Sequence, residues 1–190
     1  MDPDTITIVS GLPRSGTSLM MNMLQAGGLA TLVDNIREAD DDNPLGYYEF
    51  EKVKELKEDQ SWLQDARGKV VKVVSAHLQD LPTSYSYKVI FMRRRMEEIL
   101  TSQRQMLTRR GEPTDRVSDE EMAALFAAHL DRVTNWLARQ PHMPVLYVDY
   151  NELLRDPTPS LGNINQFLGG GLDTGSMAQV VDPALYRQRR

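Results

Sequence analysis

The chain has no cysteine among its 190 residues. That excludes a disulfide framework, a thiol nucleophile and a zinc–thiolate site, and it suits a reducing, cytoplasmic setting. No apolar run approaches the length of a membrane span, so a soluble chain without a membrane partner is expected. The N-terminus, Met1-Asp2-Pro3-Asp4, has neither the basic nor the apolar segment of a secretory leader. Positive charge is not in excess: the formal net charge is −5. That argues against a nucleic-acid partner held by broad electrostatics. An anion site in such a chain must be local, built from a few placed arginines. Internal repeats and low-complexity linkers are missing too. What is there is a globular composition, 41% hydrophobic and 26% charged, of a length that predicts a single domain over 1–190.

Apolar strand-like runs alternate with helical patterns, which predicts an α/β fold with a mainly parallel central sheet flanked by helices. The expected strands are Thr5–Ser10, a short piece near Ala30–Val33, Val70–Val74, Lys88–Met92 and Val145–Val148. Ligands of such sheets sit outside the carboxyl ends of the strands, so the residues just after these runs are the candidates for function.

The first run opens into Gly11-Leu12-Pro13-Arg14-Ser15-Gly16-Thr17-Ser18, followed by the helix-forming Leu19–Leu24. A strand, a glycine turn and a helix start make a phosphate cradle, because backbone N–H groups and a helix N-terminus converge on an anion. Gly11 and Gly16 keep the spacing of nucleotide-hydrolysing P-loops, but Thr17 stands where those loops have lysine. The cation is displaced to Arg14. Pro13-Arg14-Ser15-Gly16-Thr17-Ser18 resembles the loop of the sulfotransferases, Pro-(Lys/Arg)-Ser-Gly-Thr-(Thr/Ser). The resemblance implies a P-loop-like three-layer fold in which Arg14, Ser15, Gly16, Thr17 and Ser18 hold the 5′-phosphosulfate of 3′-phosphoadenosine-5′-phosphosulfate (PAPS).

A second motif comes after Tyr87-Lys88-Val89-Ile90-Phe91-Met92, a buried strand ending in Arg93-Arg94-Arg95 and opening a helix. Three cations at one strand end repel one another unless water or an anion offsets them. Arg94 and Ser102 are eight apart, about two helical turns, so both are expected to reach one phosphate. This is similar to the sulfotransferase strand, arginine and serine that bind the 3′-phosphate of the donor, and it implies that role for Arg94 and Ser102. Arg93 and Arg95 are open to being surface charge.

Five acidic residues fall within Glu38–Glu49, around Asn43-Pro44-Leu45-Gly46-Tyr47-Tyr48-Glu49. Three readings are open: a solvated acidic loop, a magnesium site, or a general base near the phosphate loop. The proline and glycine define a turn that presents the residues after Gly46. The stretch is similar to one in bacterial sulfotransferase-like proteins, with Glu49 as first candidate base and Glu38 as second. Glu49–Trp62 reads as a charged helix with a thin apolar stripe. Lys72 stands inside Lys69-Val70-Val71-Lys72-Val73-Val74, either pointing outward from a half-exposed strand or facing an anion. Sulfotransferases often carry a lysine at this strand, which implies contact with the transferring sulfuryl group. His77 is a third candidate base by resemblance to the Lys-x-His-Leu-Pro run of cytosolic sulfotransferases, although Lys72 and His77 are five apart rather than two.

Ser118 with Glu121 is a capping box that starts a long helix, whose stripe of Met122, Leu125, Phe126, His129, Val133, Trp136 and Leu137 is expected to face the core. His129 and Trp136 are open to a role at the acceptor. Near the end, Arg187 either belongs to a frayed basic tail or closes the 3′-phosphate site, as a basic C-terminal segment does in the family. Leu19 stands where the cytosolic branch has a tryptophan, so no adenine contact is named.

The expected activity is transfer of a sulfuryl group from PAPS to a hydroxyl or amine of a small-molecule, glycan or peptide acceptor, with no metal required. Glu49, Arg14 and Lys72 are the expected catalytic residues. A P-loop kinase, drawing a magnesium site from Asp40–Asp42, and a non-catalytic nucleotide-binding module are the alternatives.

Overall fold

Strand β1, Ile6–Gly11, is buried along its whole length, as a β-branched run must be when both faces of its sheet are covered. In the computed structural model, which describes residues 2–34, 36, 40, 46–114 and 116–181, β1 pairs in parallel with β2 (Val70–Lys72) on one side and β3 (Tyr87–Arg93) on the other. The fourth strand, β4 (Val145–Asp149), pairs in parallel with β3. The strand order is β2-β1-β3-β4. Chain order reverses between β1 and β3, so the crevice beyond their carboxyl ends is where such a sheet receives a ligand.

The period of two along each strand divides the core. Ile6 and Ile8 of β1, Val71 of β2, and Val89 and Phe91 of β3 share one core with Leu56, Trp62 and Leu78. Val9, Val70, Ile90 and Met92 face the other core. That second core is closed by α1 (Thr17–Ala26), α5 (Pro157–Leu168) and α6 (Thr174–Gln179). Two more helices, α2 (Met96–Arg109) and α3 (Asp119–Leu137), lie between β3 and β4 in the chain, and α4 (Tyr150–Arg155) comes directly after β4. The three-layer α/β architecture expected from the sequence is the one observed.

Three local expectations need correction. The piece near Ala30–Val33 contributes only a bridge from Thr31 to Val70. The charged helix expected over Glu49–Trp62 is two 3₁₀ turns, Glu51–Glu55 and Ser61–Gln64. The break falls at Asp59, whose carboxylate accepts the Ser61 N–H (2.9 Å), and Trp62 turns inward against Phe50, edge to face at 5.2 Å. On α3 the capping box forms as expected, but only Val133 and Leu137 of the stripe are fully buried and Leu125 is 61% exposed. Val133 and Leu137, near the end of the helix, join the core that Leu56, Trp62 and Leu78 share with the sheet.

Candidate active site

The loop from β1 to α1 is shaped by close approach. Gly11 has φ +144°, and a Cβ there would lie 2.7 Å from the Met92 carbonyl oxygen. Gly16, at φ +97°, caps α1, and a Cβ there would overlap the Tyr150 ring. Between them Arg14 has φ +69°, a left-handed conformation that a branched-chain or long residue adopts only when its surroundings impose it. The Ser15 N–H (3.2 Å) and hydroxyl (2.7 Å) both donate to the Leu12 carbonyl, so Ser15 braces the turn from inside. Thr17, Ser18 and Leu19 occupy the first turn of α1, where N–H groups have no partner within the helix. N–H groups at such a helix start, with the positive end of the helix dipole, are the kind that favour an anion.

Arg94 ties this loop to the second motif. Its Nη1 donates to the Arg14 carbonyl (2.9 Å) and its Nε to Glu98 Oε2 (2.9 Å). The guanidinium lies 4.5 Å from the Tyr150 ring centre, the same ring that closes on Gly16. Glu98 is 4% exposed, and its other oxygen accepts from Asn151 Nδ2 at 2.7 Å. A buried carboxylate is tolerated only with such pairing. Ser102, one turn further along α2, accepts from Arg14 Nε at 2.8 Å. Arg14, Arg94 and Ser102, picked out from two separate motifs, thus meet at one place. Arg94 and Ser102 do so through Arg14.

Lys72 is 8% exposed, and the outward-pointing reading is set aside. The pleat puts Lys72 on the Val70 face, which is the α1 face. There its Nζ donates to the Tyr47 carbonyl and pairs with Glu49 Oε1 at 3.6 Å. The Ser18 hydroxyl donates to the same carbonyl at 3.2 Å. Tyr47 is anchored in turn by its hydroxyl, which donates to Asp40 Oδ1 at 2.6 Å. The Gly46–Glu49 turn therefore lies across the start of α1 and brings the first candidate base beside a buried cation.

The remaining candidates are placed elsewhere or lie outside the described residues. Glu38, Asp41, Asp42 and Arg187 fall among the latter. His77 sits in a 3₁₀ turn and faces Asp80 at 3.4 Å. Arg93 covers the Tyr147 ring at 3.8 Å. The Arg95 N–H donates to Asn151 Oδ1. His129, reached from α3, bonds Ser75 Oγ at 2.8 Å just beyond β2. Burial foremost, and then Arg132, holds its pKa below the usual histidine value. Tyr47, Glu98, Tyr150 and Asn151 were not identified from the sequence. Glu98 carried a local signal, four residues after Arg94 at the start of a helix, and Tyr47 stood in the Asn43–Glu49 stretch that the sequence singled out.

Solved structures with this fold include the sulfotransferase domain of the curacin biosynthetic pathway (16% identity, TM-score 0.57), with 94% of this chain and 78% of that one covered. They include sulfotransferase STF1 from Mycobacterium tuberculosis (17%, TM-score 0.60; 94% and 70% covered). A third is mouse sulfotransferase SULT7A1, solved with PAP (19%, TM-score 0.53), where the match takes in 95% of this chain but 64% of that one. At these identities the likeness is one of fold. No curated protein sequence matches the chain. The model of the sulfotransferase domain, however, matches residues 4–189. The chain therefore belongs to the sulfotransferase family, with sulfotransfer as its class of reaction.

Proposed function

We propose that this protein, as a single domain over 1–190, transfers a sulfuryl group from PAPS to a hydroxyl or amine of a small-molecule, glycan or peptide acceptor. The observation that carries this reading is the meeting of Lys72 and Ser18 at the Tyr47 carbonyl beside the start of α1, with Glu49 paired to Lys72. It puts a carboxylate and a buried cation beside the phosphate cradle. The glycines at 11 and 16 let the loop pack against Met92, Ser15 and Tyr150, and the N–H groups at the start of α1 that this arrangement presents suit the donor's anionic end.

PAPS, when bound, supplies an activated sulfuryl group on a good leaving group. The chain's own residues divide the rest. The loop amides with Arg14 hold the 5′ end, and Arg94 and Ser102 hold the 3′-phosphate. Arg187 is proposed to close that site. Glu49 takes the acceptor's proton as the acceptor oxygen or nitrogen attacks sulfur in line. Lys72 and Arg14 stabilise the charge that builds on the sulfuryl and bridging oxygens. These cations do what magnesium does in phosphoryl transfer, so the proposal needs no metal. A cytoplasmic location goes with it, to be checked by fractionation.

Calorimetric titration with 3′-phosphoadenosine-5′-phosphate tests the reading, with adenosine 5′-phosphate and ATP–magnesium as controls. Binding that depends on the 3′-phosphate and weakens in Arg94→Ala is expected. Preference for ATP–magnesium overturns the proposal in favour of the kinase reading.

A further inference from the structure

Three buried polar side chains, Arg94, Glu98 and Asn151, form a chain of hydrogen bonds that links the β3–α2 connection to α2 and α4. Glu98 on α2 accepts from Arg94 Nε with one oxygen (2.9 Å) and from Asn151 Nδ2 on α4 with the other (2.7 Å). The Asn151 oxygen accepts the Arg95 N–H. The arginine and glutamate side chains are 8% and 4% exposed, and Asn151 is 7% exposed. Isolated burial of a carboxylate is expensive, so a group kept there has an arrangement to maintain. The arrangement is directional. Both Glu98 oxygens face donors, and the guanidinium plane is set by Glu98 at Nε, the Arg14 carbonyl at Nη1 and the Tyr150 ring on its face.

We infer that Glu98 and Asn151 are a positioning pair that orients Arg94 toward the donor's 3′-phosphate. The inference rests on the PAPS reading above. Bidentate recognition of a phosphate depends on the angle of the guanidinium plane. A guanidinium free to rotate would keep its charge and lose that selectivity. The pair touches no substrate. It acts through Arg94.

The chemistry of the pair supplies its own control. In Glu98→Gln the amide accepts from one donor only and turns its NH2 against the other. In Asn151→Asp two carboxylates confront each other. In the double variant Glu98→Gln/Asn151→Asp the glutamine oxygen accepts from Arg94 and its NH2 donates to Asp, so the chain of bonds closes again with the net charge of the wild type.

The quantity to measure is the ratio of affinities for 3′-phosphoadenosine-5′-phosphate and adenosine 5′-phosphate, by calorimetry on the full chain. A purely structural role would lower the unfolding midpoint and leave this ratio unchanged. Glu98→Gln is expected to reduce the ratio about tenfold, the scale of one charge-assisted hydrogen bond. The double variant is expected to recover most of it. Asn151→Ala, which keeps the Arg94–Glu98 pair and removes its second anchor, is expected to fall between them and serves if Glu98→Gln does not fold. A wild type that discriminates, with a Glu98→Gln or Asn151→Ala variant that discriminates equally, overturns this inference alone. So does a double variant no better than Glu98→Gln. A wild type indifferent to the 3′-phosphate overturns the PAPS reading and this inference with it.

Discussion

Arg94 holds the Arg14 peptide: its Nη1 donates to the Arg14 carbonyl at 2.9 Å, across 80 residues of sequence. Arg14 is also one of the two non-glycine residues with positive φ among those described. The strained turn of the first motif is therefore stabilised by the second, and each is incomplete alone.

Arg94→Lys should expose this dependence. A lysine has one nitrogen and cannot serve Glu98 and the Arg14 carbonyl together in the same geometry. Removing one partner of a buried pair costs about 3–5 kcal/mol, so Arg94→Ala should lose an amount of that order in urea unfolding. Arg94→Lys should lose less while still losing selectivity for the 3′-phosphate. Unfolding curves that match wild type for both would reject the role.

Gly16→Ala should damage the loop through the backbone. The position combines φ +97° with the Tyr150 ring in the space of a Cβ. A cost of about 2 kcal/mol or more is expected, with the anion affinity of the cradle reduced as Tyr150 is displaced. Gly28→Ala, where a Cβ meets nothing within 4 Å, shares the positive φ and not the overlap. It should cost less, and the difference isolates the ring contact.

Glu49→Gln separates chemistry from binding. The isostere keeps the volume of the side chain and leaves the Tyr47 carbonyl bonds from Ser18 and Lys72, and the unfolding midpoint reports the cost of removing the Lys72 counter-charge. Loss of a general base lowers turnover by about 10²–10⁴. The expected result is a fall in kcat on that scale, with affinity for 3′-phosphoadenosine-5′-phosphate nearly unchanged. An acceptor must first be found by screening. Equal turnover would move the base to Glu38 or His77.

His129 should make stability depend on pH. Burial foremost, and Arg132 second, lower its pKa in the folded chain relative to about 6.5 unfolded. The unfolded chain then binds more protons between the two values, so stability falls as pH drops through 6.5 and levels off below the folded value. Unfolding at pH 7.5 and 5.5 should show a larger loss for wild type than for His129→Gln, which also keeps a polar partner for Ser75. Parallel losses would show that other groups account for the acid sensitivity.

Much of this architecture was legible locally. The valine and isoleucine runs are strands because residues buried on both faces of a sheet must be apolar at every position. The glycines at 11 and 16 mark a loop because only they tolerate its conformation and contacts. The segment between Glu49 and Trp62 misled because its charges suggest a helix. Trp62 instead folds back onto Phe50 at the other end of the same segment, a contact that helical spacing does not report.

The sequence by itself determined the α/β class, the two cation-bearing motifs and the order in which they occur, since these depend on residue type and short spacing. Only the tertiary structure decided how the motifs are joined. Parallel pairing of β1 with β3 brings Arg14 beside Arg94, the pleat turns Lys72 toward α1 and Glu49, and α4 delivers Asn151 to a carboxylate on α2 and the Tyr150 ring to the Arg94 guanidinium. Those partners come from distant stretches, and their energies depend on burial and angle, which exist only once the chain has closed around them.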